Sequence, residues 1–169
     1  MLSPKIQDAL NTQVNAELFS SYLYLSMAAH FERTSLPGMA TWMRFQAQEE
    51  LVHALKIFGF INERNGHALL TEIEGPKTEW SSPLEAFEDS YAHEQKVTGL
   101  INDLVNLARE EKDHATETFL QWFVTEQVEE ESSVSTVVDQ LKLVGDNGVA
   151  LFMVDGQLAQ RVAPTMPAQ

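Results

Sequence analysis

Four long stretches of this chain carry apolar side chains at every third or fourth position. Each of those stripes is interrupted near its middle by ionisable or amide groups: Glu17 in the first, Glu50 and His53 in the second, Glu94 in the third, Gln127 and Glu130 in the fourth. A 3.6-residue apolar period turns one face of a helix toward a core, so the pattern predicts rods packed lengthwise. The interrupting groups then fall on the buried side.

Ser3-Pro4 supplies an N-cap and a first helical position, and the stripe from Ile6 through Val14, Glu17, Ser21 and Tyr24 to Phe31 predicts a helix over about 4–33. Ser35-Leu36-Pro37-Gly38 breaks it, and a second stripe through Met39, Met43, Gln46, Glu50, His53 and Ile57 gives a helix over about 38–65. Periodicity weakens over about 66–82, where Gly75-Pro76 and Ser81-Ser82-Pro83 exclude a continuous helix. A third helix follows over about 83–110, with Leu84, Phe87, Tyr91, Glu94 and Ile101 on its stripe, and a fourth over about 113–144 with Asp113 as its cap. After Gly145-Asp146-Asn147-Gly148, the residues Val149, Leu151, Phe152, Val154 and Leu158 predict a short fifth helix over about 147–160. The tail Pro164–Gln169 is expected to fray.

At 169 residues and 19.0 kDa the whole chain, 1–169, reads as one all-α domain. Short turns make two antiparallel hairpins. The intervening loop of about 17 residues reaches about 56 Å, more than the about 40 Å of a 27-residue helix. It can run the length of the bundle and leave the second and third helices parallel, giving a four-helix bundle with one long crossover loop.

The interruptions repeat. Glu17 to Glu50 and Glu94 to Gln127 are both 33 residues apart, and Glu17 to His53 and Glu94 to Glu130 are both 36, so the second hairpin repeats the first at an offset of 77. Trp42 and Phe119, Phe45 and Trp122, and Glu49 and Glu126 obey the same offset. Counted from the turns, the four acids converge on one layer. A single such residue is as readily a misjudged helix rotation or a satisfied core group. Four carboxylates in one layer, with no Lys or Arg on the stripes to neutralise them, call for a cation from outside. Oxygen ligands with one imidazole suit Fe, Mn or Zn, and four carboxylates balance about two divalent ions. The Glu50-x-x-His53 spacing lets both side chains hold one ion.

Composition narrows the setting. Twenty-five acidic against 11 basic residues leave a net charge of −14, which repels nucleic acid and draws cations. The absence of cysteine removes disulfides, thiolate metal sites and thiol nucleophiles. No leader pattern precedes the first helix and no 18-residue apolar run occurs, so a cytoplasmic location off the membrane is expected.

The stretches Ser20–Leu25, Gln46–Ala54 and Phe123–Glu131 resemble the bacterial non-haem ferritins, and the likeness covers Leu2 to about Arg161. Single Glu residues on two helices with Glu-x-x-His on others is the known arrangement of ferritin-like di-iron bundles, and Glu50-x-x-His53 supplies one such pair here. The resemblance implies iron storage: Fe(II) oxidised to Fe(III) by O2 or H2O2 at a ferroxidase centre and kept as ferric oxyhydroxide inside a homo-oligomeric cage of 24 subunits. It implies that Glu17, Glu50 and His53 hold a first iron and Glu50, Glu94 and Glu130 a second, with Gln127 hydrogen-bonded beside them. It implies a third iron at Glu49, Glu126 and Glu129, shared in part with Glu130, though adjacent acids on a helix are also simply a solvated face. Tyr24 matches a tyrosine that the family keeps beside its centre as an electron source, though spacing alone equally makes it a core Tyr with a satisfied hydroxyl; Trp122 matches a further donor of such proteins, but a packing role is the better reading of it.

A haem-binding relative would carry a second Glu-x-x-His in place of Gln127-x-x-Glu130 and a Met in place of Val52, so no haem is expected. Two rivals stand beside storage. One is a di-iron peroxidase or oxygenase; the other is a helical bundle without catalysis, whose core acids pair with water.

Overall fold

The computed structural model describes residues 2–163; the tail Pro164–Gln169, expected to fray, lies outside them. The described chain is all-helical: α1 (Pro4–Arg33), α2 (Pro37–Glu63), α3 (Pro83–Glu110), α4 (His114–Val144) and α5 (Gly148–Leu158).

Local chemistry starts each rod. The Ser3 hydroxyl accepts from Ile6 N at 3.3 Å ahead of Pro4, Ser82 from Glu85 N at 3.1 Å ahead of Pro83, and Asp113 from Thr116 N at 3.1 Å. Asn147 Oδ1 accepts from both Val149 N and Ala150 N at 3.1 Å. The tight turns place Ser35 (φ 61°) and Lys112 (φ 54°) in the left-handed region, and α4 stops at Gly145 (φ 53°). The start of α2 is different, because Leu36 offers no side-chain cap. Met39 N instead donates to Asp155 Oδ1 of α5 at 2.8 Å. Gly38 permits that approach: a Cβ there would lie 1.8 Å from the Asp155 carbonyl oxygen.

Side-chain contacts define the topology. Phe31 meets Phe87, Tyr24 meets Ser90, and Ser20 meets His93, so α1 and α3 run antiparallel. Arg64 meets Asp113, Phe60 stacks on Phe119, and Gln46 reaches Glu130, so α2 and α4 are antiparallel too. Helices α2 and α3 are therefore parallel, as the loop's reach allows. The crossover itself follows α1 from end to end. Gln7 and Asn11 bind the backbone of His67 and Leu69, Asn15 binds Thr71 and Glu72, Ser26 binds Lys77, and Arg33 binds Glu79.

Two apolar clusters fill the bundle. One, at the α1–α2 turn, contains Met27, Phe31, Met39, Met43, Phe87 and Leu141 and receives Val154 and Leu158 of α5. The other, at the opposite end, contains Ile6, Leu10, Ile57, Ile61, Ile101 and Phe123. The stripe pattern errs by one residue at Ser21 and Tyr91, which are half-buried while Ser20 and Ser90 are buried, and again at Thr98, half-buried beside a buried Val97. Among the described residues no helix is long and apolar enough to cross a membrane.

Candidate metal centre

Between the apolar clusters lies a polar layer with almost no access to solvent. Glu17, Glu50, His53, Glu94, Gln127 and Glu130 are all buried, with Glu50 and Glu94 at 0% exposure. Helical register explains the meeting: each residue occupies a core position on its own rod, and Glu50 and His53, three apart, share one face of α2. Ligand atoms of Glu17, Glu50 and His53 lie within 4.8 Å of one another, as do those of Glu50, Glu94 and Glu130. Among the described residues these are the two groups of three or more that approach so closely, and Glu50 belongs to both.

Amides and hydroxyls orient the outer carboxylates. Gln13 Nε2 donates to Glu17 Oε1 at 2.8 Å, and Gln127 Nε2 donates to Glu94 Oε2 at 3.1 Å. The Tyr24 hydroxyl donates to Glu94 Oε1 and accepts from Ser90 Oγ at 3.2 Å, while Gln46 Nε2 donates to Glu130 Oε2. Glu17 Oε2, both oxygens of Glu50 and His53 Nδ1 remain buried without a hydrogen-bond partner. A buried acceptor left unmet costs about 1–3 kcal/mol, so four that converge are a consistent demand for a cation.

Electrostatics says the same. Burial pushes the Glu17 carboxyl up from 4.5 to about 7, with the Glu94 charge adding to the rise and the hydrogen bond from Gln13 opposing it. Burial, then the neighbouring Glu94, Glu130 and Glu17 charges, holds Glu50 well above the carboxylate range, and burial followed by Glu94 does so for Glu130. Glu94 is raised by burial against the opposing bonds from Tyr24 and Gln127. Burial, aided by the Lys56 charge, lowers His53 to about 4, so its imidazole is neutral near pH 7 with a lone pair to offer. The same layer keeps Tyr24 protonated: burial, then the Glu94 and Glu50 charges, raises its hydroxyl far above the usual range. Four carboxylates and one neutral imidazole fit two hard or borderline divalent cations.

The remaining expected residues sit elsewhere. Trp122 stands edge-on to His53 at 5.3 Å and carries Lys56 Nζ over its ring at 4.4 Å. Glu49, Glu126 and Glu129 do not enter either close group. Glu49 and Glu126 are half-buried and Glu129 is exposed. Glu49 is paired with Arg161, whose Nη2 lies 2.5 Å from Glu49 Oε2.

Three contributors escape the stripe pattern. Gln13 lies one turn before Glu17 on the same face and is detectable from that spacing. Ser90 and Arg161 have no such signal, since one is hidden by the drift of the α3 stripe and the other follows α5.

The ferritin-like domain family matches residues 7–144. The bacterial non-haem ferritin of Bacteroides fragilis (strain 638R) is 47% identical over 161 residues, 95% of this chain and 100% of that protein. That of Staphylococcus saprophyticus is 45% identical over 161 residues, 95% and 96% of the two chains. Among solved structures, an Archaeoglobus fulgidus ferritin engineered to a closed form superposes with a TM-score of 0.96 at 50% identity, covering 97% of this chain and 100% of that one. The open-pore ferritin of the same archaeon gives 0.95 at 51%, covering 96% and 100%.

Proposed function

The chain belongs to the ferritin family, and from that premise we propose that it stores iron, oxidising Fe(II) at the buried carboxylate layer and keeping the Fe(III) as an oxyhydroxide mineral within a cage of its own copies. The observation that carries this reading is Glu50: its two partnerless oxygens face both close ligand groups, so one carboxylate can bridge two substrate ions. Glu17 and His53 would complete the first position, Glu94 and Glu130 the second.

The protein's part is placement. Gln13, Gln46, Gln127 and Tyr24 hold the outer carboxylates in orientation by hydrogen bonds already formed. Two Fe(II) held side by side supply two electrons, which with two protons reduce O2 to H2O2, or H2O2 to two molecules of water. Protonated carboxyls at Glu17 and Glu50 lose their protons as cations enter, because the positive charge offsets the burial and repulsion that raised them. Gln127 and Glu130 in place of a second Glu-x-x-His, and Val52 in place of a thioether, support a centre without haem.

The exposed apolar side chains Val149, Phe152 and Met153 of α5 support burial against neighbouring copies, and 24 subunits is the assembly we assign. The net charge of −14 supports a particle that attracts cations and binds neither nucleic acid nor an anionic membrane surface, and the cytoplasm is the location we assign it.

Glu50→Ala and Glu130→Ala should abolish the fast phase of Fe(II) oxidation while leaving a particle of about half a megadalton. Initial rates equal to those of the unaltered protein would overturn the proposal, and a monomer or dimer would favour one of the rival readings.

A further inference from the structure

We propose that Arg161 is the resident cation of the acidic group beside the two-ion layer, and that it limits each subunit to two tightly held divalent ions. The inference rests on the layer proposed above.

Arg161 follows α5 in sequence yet reaches α2 across 112 residues. Three contacts fix its guanidinium: Nη2 donates to Glu49 Oε2 at 2.5 Å, Nη1 donates to the Trp42 carbonyl at 3.3 Å, and the planar group lies over the Trp42 ring at 4.5 Å. Its side chain is 21% exposed and that of Glu49 24%, so the pair is largely withdrawn from water. A surface pair between mobile side chains would be worth little, but a guanidinium held by a carboxylate, a carbonyl and an aromatic face is pre-organised.

Glu49 is not alone there. Glu129 lines the same surface cavity as Trp42 and Arg161. Glu126 lies three residues before Glu129 and shares that face of α4. A divalent ion that took Glu49 Oε2 as a ligand would have to displace a guanidinium that the Trp42 carbonyl and ring hold in place. Removing Arg161 leaves a half-buried carboxylate facing like charges, the circumstance in which an external cation is taken up. Arg161 is thus a positioning residue.

Co(II) bound to the iron-free assembled protein, followed by its visible absorption and by equilibrium dialysis, tests the idea without any turnover. We expect two ions per subunit in the unaltered protein and a third in Arg161→Gln, tighter by about tenfold or more than any third ion in the unaltered protein. Three comparable ions in the unaltered protein would overturn the proposal, as would two in an assembled Arg161→Gln. If that variant does not assemble, Arg161→Met, which keeps an apolar stem over the Trp42 ring but carries no charge, should take the third ion, and only two would overturn it. Fewer than two ions in the unaltered protein would instead refute the carboxylate layer.

Discussion

Replacing Glu17 with Gln should make the metal-free protein more stable, but only where the carboxylate would be charged. Glu17 is buried, accepts one hydrogen bond from Gln13 and leaves its other oxygen unmet. Its folded value of about 7 lies above the ordinary 4.5. The neutral carboxyl therefore contributes fully below about pH 4.5, and that contribution is lost as pH rises through about 7. Well above pH 7 the charged group costs the fold about 3 kcal/mol relative to a group that cannot ionise. The Gln amide has nearly the same shape, its oxygen still accepts from Gln13, and its nitrogen can donate to Glu50. Scanning calorimetry of chelator-treated protein should place Glu17→Gln about 6–12 °C above the unaltered protein near pH 8, with the gap closing near pH 5. Saturating divalent cation should reverse the order, because the unaltered protein gains a ligand that the variant lacks. Equal melting near pH 8, or a gap that does not change with pH, would refute the electrostatic argument and point to packing.

Gly38→Ala should undock α5, since its Cβ would collide with the Asp155 backbone; a loss of about 1–3 kcal/mol and impaired assembly are expected by calorimetry and size-exclusion chromatography. Asp155→Ala, which removes the acceptor for Met39 N, should cost about 1 kcal/mol in the same melt, with Asp155→Asn close to unaltered. Asn11→Ala removes the two bonds that hold the start of the crossover loop at His67 and Leu69, and limited proteolysis should then cut that loop faster while Co(II) binding persists.

The fold class is legible because each rod carries a long 3.6-residue apolar stripe and because a loop of known length can only close the bundle in a few ways. The stripes fix which face is buried but not the last residue of rotation, which is why the pattern puts Ser21 and Tyr91 where Ser20 and Ser90 lie. The carboxylate layer is legible for a different reason: an acid in mid-stripe is costly, and the repeat at 77 residues makes coincidence a poor account of it. Contacts made by α5 and the residues after it are not legible. Asp155 caps a helix 116 residues away and Arg161 pairs 112 residues away, each as a single polar residue with no period to mark its face. The acids Glu49, Glu126 and Glu129 can be read as a group, but the cation already standing on one of them cannot.

Whether acids from four helices hold two substrate ions around Glu50 is tested most directly in crystals prepared anaerobically with Fe(II) and measured across the iron absorption edge. Two anomalous peaks per subunit are predicted, one among Glu17, Glu50 and His53 and the other among Glu50, Glu94 and Glu130. Iron found only on the surface carboxylates, with the buried layer bare, would contradict the assignment.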